Sequence, residues 1–156
     1  MVEPPSPLMI RRAGESDVAA VRELTRTAYA KWVPVIGREP RPMTADYELA
    51  VHDHLVDLLY MGSRLVGLIE TAPDTDHLLI VNVAVAPGLR RQGHGRTLMA
   101  HAEDVARSLE LKEMRLYTNA RFTENVRLYL QLGYGTDREE VHPQFGEAVY
   151  MSKRID

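Results

Sequence analysis

The chain reads as an α/β domain with a mixed, mostly antiparallel sheet of about seven strands flanked by about four helices. Three observations predict this. Segments of strand and helix period succeed one another in the order β-α-α-β-β-β-α-β-α-β-β. Leu78 to Val85 is an almost wholly apolar run stopped by Pro87, as suits a strand covered on both faces. The chain then ends on two more strand patterns after its last helical one.

Leu8 to Ala13 reads as the first strand. Gly14, Glu15 and Ser16 follow as turn and cap, and Val18, Val21, Leu24 and Ala28 mark one face of a helix to about Lys31. Trp32 to Met43 holds Pro34, Gly37, Pro40 and Pro42, so it cannot be one regular element. A second helix is expected from Ala45 to about Val51. Leu55–Met61 and Leu65–Ala72 read as antiparallel strands turned at Gly62-Ser63. Beyond the turn Pro73–Asp76 and the apolar strand, Leu98, Met99, Ala102, Val105, Ala106 and Leu109 recur at helical spacing from Gly95 onward. Met114–Asn119 is a strand. Thr123, as N-cap, opens a helix to Leu132 that Gly133 stops, and Tyr134–Val141 and Ala148–Ile155 close the sheet. Residues 1–7 read as a short disordered leader and residues 8–156 as one domain.

With 156 residues the chain is long enough for a real core, and 45% hydrophobic with 26% charged residues is ordinary for a globular protein. A net charge of −3 gives no global reason to expect nucleic acid, so anion binding has to be local. Cysteine is absent, which removes disulfides, a thiol nucleophile and thiolate metal sites, and fits a reducing cytoplasm. No apolar run reaches membrane-spanning length, and the first residues lack the pattern of a signal peptide.

Arg90-Arg91-Gln92-Gly93-His94-Gly95-Arg96 lies between the apolar strand and the helix. Free backbone N–H groups and the positive end of the helix dipole face outward there, and the glycines let an anion come close. No Asp or Glu occurs between Asp76 and Glu103. The stretch is a phosphate cradle by its physics. A P-loop needs upstream glycine spacing that is missing, and a dinucleotide fingerprint needs a third glycine where Leu98 stands.

Val85-Ala86-Pro87 followed by Arg90-Arg91-Gln92-Gly93-His94-Gly95 resembles the coenzyme A loop of the GNAT superfamily of acyl-CoA-dependent N-acyltransferases. The element order is also similar to that family's, from Leu8 onward. The resemblance implies a sheet whose two central strands splay, with the pantetheine arm of acetyl-CoA in the gap. Backbone groups of Val83 and Val85 would bond that arm, and Arg90, Arg91, Gln92, Gly93, His94, Gly95 and Arg96 would form the pyrophosphate loop. It implies acetyl-CoA as co-substrate and a small-molecule or peptide amine as acceptor. No metal, nucleic acid or membrane partner is expected. Homodimers are common in the family.

Asn125 and Tyr129 lie four apart on one helix face. The helix pattern alone makes Tyr129 a core tyrosine with its hydroxyl at a wet edge. The segment Asn125 to Tyr134 also resembles the family's Asn-x-x-Leu-Tyr-x-x-x-Gly-Tyr, in which the asparagine contacts the cofactor and the tyrosine protonates the departing thiolate. The attacking amine must be neutral, which calls for a base or a water relay. Glu70 is the first candidate for that base, an ordinary strand carboxylate or ion-pair member being the alternative, and Asn82 is a candidate water-holder. His52 and His54 flank Asp53 at a helix–strand junction and read as surface histidines. His94 faces either solvent or phosphate. In the family the region corresponding to Tyr29–Tyr47 lines the acceptor side, which points to Tyr29, Trp32 and Arg38 as substrate-binding residues. A non-catalytic acyl-CoA-binding module is the alternative reading, and a nucleotide-phosphate binder of another fold is a third.

Overall fold

The computed structural model describes residues 7–143 and 146–156. All of the expected leader except Pro7 lies outside them. Seven strands form one sheet in the order β1-β2-β3-β4-β5-β7-β6. They are β1 (Leu8–Arg12), β2 (Leu55–Met61), β3 (Arg64–Pro73), β4 (Leu78–Val85), β5 (Glu113–Asn119), β6 (Gly135–His142) and β7 (Gly146–Arg154). Neighbours run antiparallel except β4 and β5, which are parallel. The architecture is the mixed, mostly antiparallel α/β sheet expected.

Four helices of seven residues or more occur among the described residues: α1 (Val18–Tyr29), α4 (Tyr47–Asp53), α5 (His94–Ser108) and α6 (Thr123–Gln131). Two single turns, α2 (Val33–Ile36) and α3 (Arg41–Thr44), fill the proline-rich segment. Gly37 ends α2 in the left-handed region at φ 76°, which favours glycine. Pro40 and Pro42 open α3. The segment is held by Arg26, which donates to the Met43 carbonyl at 2.7 Å and pairs with Glu39 at 3.0 Å. The helix expected from Ala45 starts at Tyr47, because Asp46 Oδ1 accepts from the Leu49 N–H at 3.1 Å and so caps it. Thr123 is not the cap of α6. Phe122 occupies that position, and its buried ring stacks on Trp32 at 4.8 Å.

The core has two clusters, one on each face of the sheet. Leu98, Met99, Ala102 and Ala106 of α5 pack with Leu78, Ile80, Met114 and Leu116. Val21, Leu24 and Ala28 of α1 pack with Tyr47, Val56, Leu58, Leu68 and Ala84. Along β4, Leu78 and Ile80 belong to the first cluster and Ala84 to the second, although strict alternation would keep all three on one face. A bulge is the cause. Glu70 stands opposite Asn82 and Thr71 opposite Ile80, which leaves Val81 as the extra residue. The bulge turns Asn82 towards α1 and α4, and β4 leaves β5 at the same place. Parallel pairing covers only Leu78–Ile80 against Met114–Leu116, while β5 stays paired to β7 as far as Asn119. The two central strands splay from that point.

Candidate active site

The splay and the N-terminus of α5 open onto one groove of about 570 Å³. Gly93 caps α5 at φ 85°, a left-handed conformation that glycine adopts without strain. The first helical bond runs from Thr97 N to Gly93 O at 3.0 Å, so the amides of His94, Gly95 and Arg96 have no intrahelical acceptor. A Cβ on Gly93 would meet nothing within 4 Å, whereas one on Gly95 would press on Leu128 of α6 at 3.3 Å. His94 is buried, and both of its ring nitrogens lack a hydrogen-bond partner among the described residues.

Val83, Val85, Arg90, Arg91, Arg96 and Asn125 line this groove as well, with Lys31 and Arg127 added by the structure. Gln92 is exposed and stands outside the lining. The arginines differ in what they do. Arg90 donates to the Ala28 carbonyl at 2.5 Å, tying the loop to the end of α1. Arg96 donates to Gln131 Oε1 at 2.6 Å, tying α5 to α6. Arg91 is exposed, at φ 66°. At the rim Lys31 pairs with Glu124 at 2.7 Å, and the Glu124 carboxyl lies below its usual range through that bond first. Open amides at a helix N-terminus, a surplus of cationic side chains and a buried imidazole without partners fit a polyanionic ligand.

A second cavity, of about 810 Å³, is lined from α4 and from β3, β4, β5 and β7. Glu70, Asn82, His54, Tyr47, Phe122 and Arg38 are among its lining residues. Arg38 makes no ion pair or hydrogen bond among the described residues. Glu70 is buried, and its Oε2 lies 2.6 Å from His54 Nδ1. The expectation of a surface histidine suits His52, whose side chain is 82% exposed, but not His54. Asn82 Nδ2 is 3.3 Å from both Thr25 Oγ1 and the Tyr47 hydroxyl. Tyr47 gives its own proton to the Pro42 carbonyl at 2.6 Å, so its oxygen can only accept from Asn82. That fixes the amide orientation and leaves Asn82 Oδ1 buried without a partner.

Tyr29, Val83 and Tyr129 line both cavities, so the two meet there. Tyr29 donates to the Val83 carbonyl at 3.2 Å, and burial raises its phenol well above the ordinary range. Tyr129 is 7% exposed, with its ring tilted against Tyr134. Burial pushes its phenol up to about 12. Trp32 does not line the larger cavity. Its ring is buried on Phe122 and borders the groove instead.

Comparison with solved structures gives the same fold. PaiA N-acetyltransferase from Thermoplasma acidophilum, in complex with coenzyme A, superposes with TM-score 0.81 at 18% identity, covering 95% of this chain and 99% of that one. The ribosomal-protein-S18-alanine N-acetyltransferase from Escherichia coli gives TM-score 0.78 at 19% identity, covering 96% and 95%. A GNAT family acetyltransferase from Elizabethkingia anophelis with acetyl-CoA bound gives TM-score 0.71 at 14% identity, covering 95% and 98%. Comparison with curated protein sequences finds no significant match. The sequence profile of the acetyltransferase (GNAT) family matches residues 18–134, from the start of α1 through the cradle to Tyr134. With its bulged, splayed sheet and glycine-capped α5, the chain belongs to the acetyltransferase (GNAT) family.

Proposed function

We propose that this protein transfers the acetyl group of acetyl-CoA to a primary amine by direct attack on the thioester. The observation that carries the reading is the meeting of the two cavities at Tyr29, Val83 and Tyr129. A thioester held along the splay presents its carbonyl there, between an anion-binding groove and a separate space for an acceptor. A module that only binds acyl-CoA has no use for the second space. The chain has no cysteine, so no cysteinyl acyl-enzyme forms on it.

In this reading the amides of His94, Gly95 and Arg96 hold the pyrophosphate, with Arg91 in the same wall of the groove. Val83, Val85 and Asn125 border the pantetheine arm. A backbone N–H near Val83 faces the developing oxyanion. Tyr129 meets the departing sulfur. A phenol raised to about 12 keeps its proton at neutral pH. Full transfer to a thiolate whose thiol has a pKa near 8.5 runs uphill by roughly 5 kcal/mol. Tyr129 therefore acts mainly as a hydrogen-bond donor to the growing negative charge. Glu70, in contact with His54, is the proton acceptor on the acceptor wall, directly or through a relay, and the unpartnered Asn82 Oδ1 accepts from an ammonium or a water beside it.

The test is a turnover screen of acetyl-CoA against alkyl amines, amino acids, aminoglycosides and peptide N-termini, read by release of free thiol. One amine class released at a rate well above hydrolysis supports the reading. Tight acetyl-CoA binding with no acceptor in any class returns the protein to a binding module.

A further inference from the structure

His54 follows α4 directly, and Val56, two residues on, stands opposite Glu70 in the β2–β3 register. The two side chains meet from the turn between α4 and β2 and from β3, with His54 Nδ1 2.6 Å from Glu70 Oε2. The carboxylate is 6% exposed and the imidazole 37%, and both line the acceptor cavity. A contact this short holds one proton. Imidazole is the stronger base of the two side-chain types, so that proton sits on Nδ1. The tautomer is thereby set, and the ring's lone pair lies on Nε2, which has no hydrogen-bond partner among the described residues.

We propose that His54 and Glu70 form one proton-accepting pair in this cavity, with His54 Nε2 taking the proton of a primary alkylammonium acceptor and Glu70 holding the imidazolium that results. The inference rests on the transfer reading above and names the atom at which the proton arrives. One N–H bond of the ammonium breaks and an Nε2–H bond forms, directly or through one water. The lone pair left on the amine attacks the thioester carbonyl, the C–S pair leaves with sulfur, the new amide nitrogen gives its surplus proton to that sulfur through water, and the half-exposed imidazolium returns its own proton to solvent. Glu70 accepts the Nδ1–H bond and so faces the charge that the ring acquires when Nε2 takes the proton. The cavity's other ionisable groups include Asp46, which caps α4, Tyr47 and Asp53 of α4, and Tyr29 of α1. Arg38, Arg41, His142 and Glu147 stand elsewhere on the cavity wall. Asp53 is engaged by His52 at 2.7 Å.

His54→Ala and His54→Asn separate the roles, because the asparagine amide replaces Nδ1–H against Glu70 but has no basic nitrogen. Both variants should lose about 10²-fold in kcat/KM for the amine at pH 7. The KM for acetyl-CoA should stay the same. The deficit should shrink as pH approaches about 10.4, where the amine arrives neutral. Nitrogen-15 spectra of the wild-type imidazole should show Nδ1–H in the neutral ring. A wild-type rate and pH profile in His54→Asn overturns the inference, since His54 would then only position Glu70; so does a neutral ring protonated at Nε2. Wild-type protein that binds acetyl-CoA but acetylates no amine overturns the transfer reading and this inference with it. An active wild type with an unaffected His54→Ala overturns this inference alone.

Discussion

Removing one oxygen atom in Tyr129→Phe separates binding from catalysis in this site. The ring lies buried between the two cavities and packs against Tyr134, with centroids 6.1 Å apart, and phenylalanine keeps that packing. The hydroxyl makes no hydrogen bond among the described residues, so its loss breaks none. Stability should change by no more than about 1 kcal/mol, because the residue borders both cavities and its hydroxyl is not sealed in a dry core. For a domain of this size that is at most about 4 °C in Tm. The catalytic effect is larger. A donor aimed at charge that develops only in the transition state is worth about 3–4 kcal/mol, so kcat should fall by about 10²–10³. The KM for acetyl-CoA should hardly move, because the lost interaction is absent from the ground state. Burial raises the phenol to about 12, so the donor stays protonated as pH rises to that value. The wild-type rate should therefore show no loss from this group up to about pH 11. Stopped-flow thiol release from pH 6 to 11, with calorimetry of coenzyme A on both proteins, measures all of this. A variant with kcat within threefold of wild type would make Tyr129 only a core tyrosine beside the groove.

Arg38→Ala should raise the amine KM about tenfold, ~1.4 kcal/mol, and leave that for acetyl-CoA unchanged, since Arg38 lines only the larger cavity; equal change in both constants contradicts its placement on the acceptor side. Trp32→Ala, by contrast, should cost about 3–5 kcal/mol of stability and on the order of 10 °C in Tm by emptying the stack on Phe122, and a selective rise in amine KM without loss of Tm would restore Trp32 to the acceptor site. Burial raises both Tyr47 and Tyr129 to about 12 in the folded chain. Their contribution to stability, about 2–3 kcal/mol each, is complete below about pH 10 and disappears as pH rises from 10 to 12. Urea midpoints at pH 8, 10.5 and 11.5 should therefore fall in order, and a flat series would contradict the burial of these phenols.

Local pattern was enough for the strands. Leu55–Met61 and Leu78–Val85 fall where apolar content and the Gly62-Ser63 turn place them, and the glycine loop falls at the start of α5. Side-chain competition at the helix ends was not legible. Asp46 captures the Leu49 amide and delays α4, and burial of Phe122 takes the cap position from Thr123. The bulge at Val81 leaves no mark on an apolar run, because valine suits either side of it. That bulge sets Asn82 opposite Glu70, so the acceptor wall depends on an event that alternation does not predict. The pairing of His54 was missed for a related reason: it sits in the turn after α4, and its partner lies 16 residues away on β3. Trp32, expected on the acceptor side, packs its ring on Phe122 at the groove, and an aromatic in a proline-rich loop serves a cavity lining or a core equally well.

The account stands on the anion site at the head of α5, and calorimetric titration of coenzyme A into wild-type protein and Gly93→Val tests it most directly. Valine at φ 85° is strained by about 1–3 kcal/mol, and relieving that strain turns the amides of His94, Gly95 and Arg96 out of line. The far side of the molecule is untouched, and a Cβ at this position meets no other atom within 4 Å, so the variant should fold. The prediction is saturable one-to-one binding to the wild type and at least a hundredfold weaker binding to a Gly93→Val protein with a cooperative unfolding transition. Unchanged affinity in that folded variant would place coenzyme A somewhere other than this cradle.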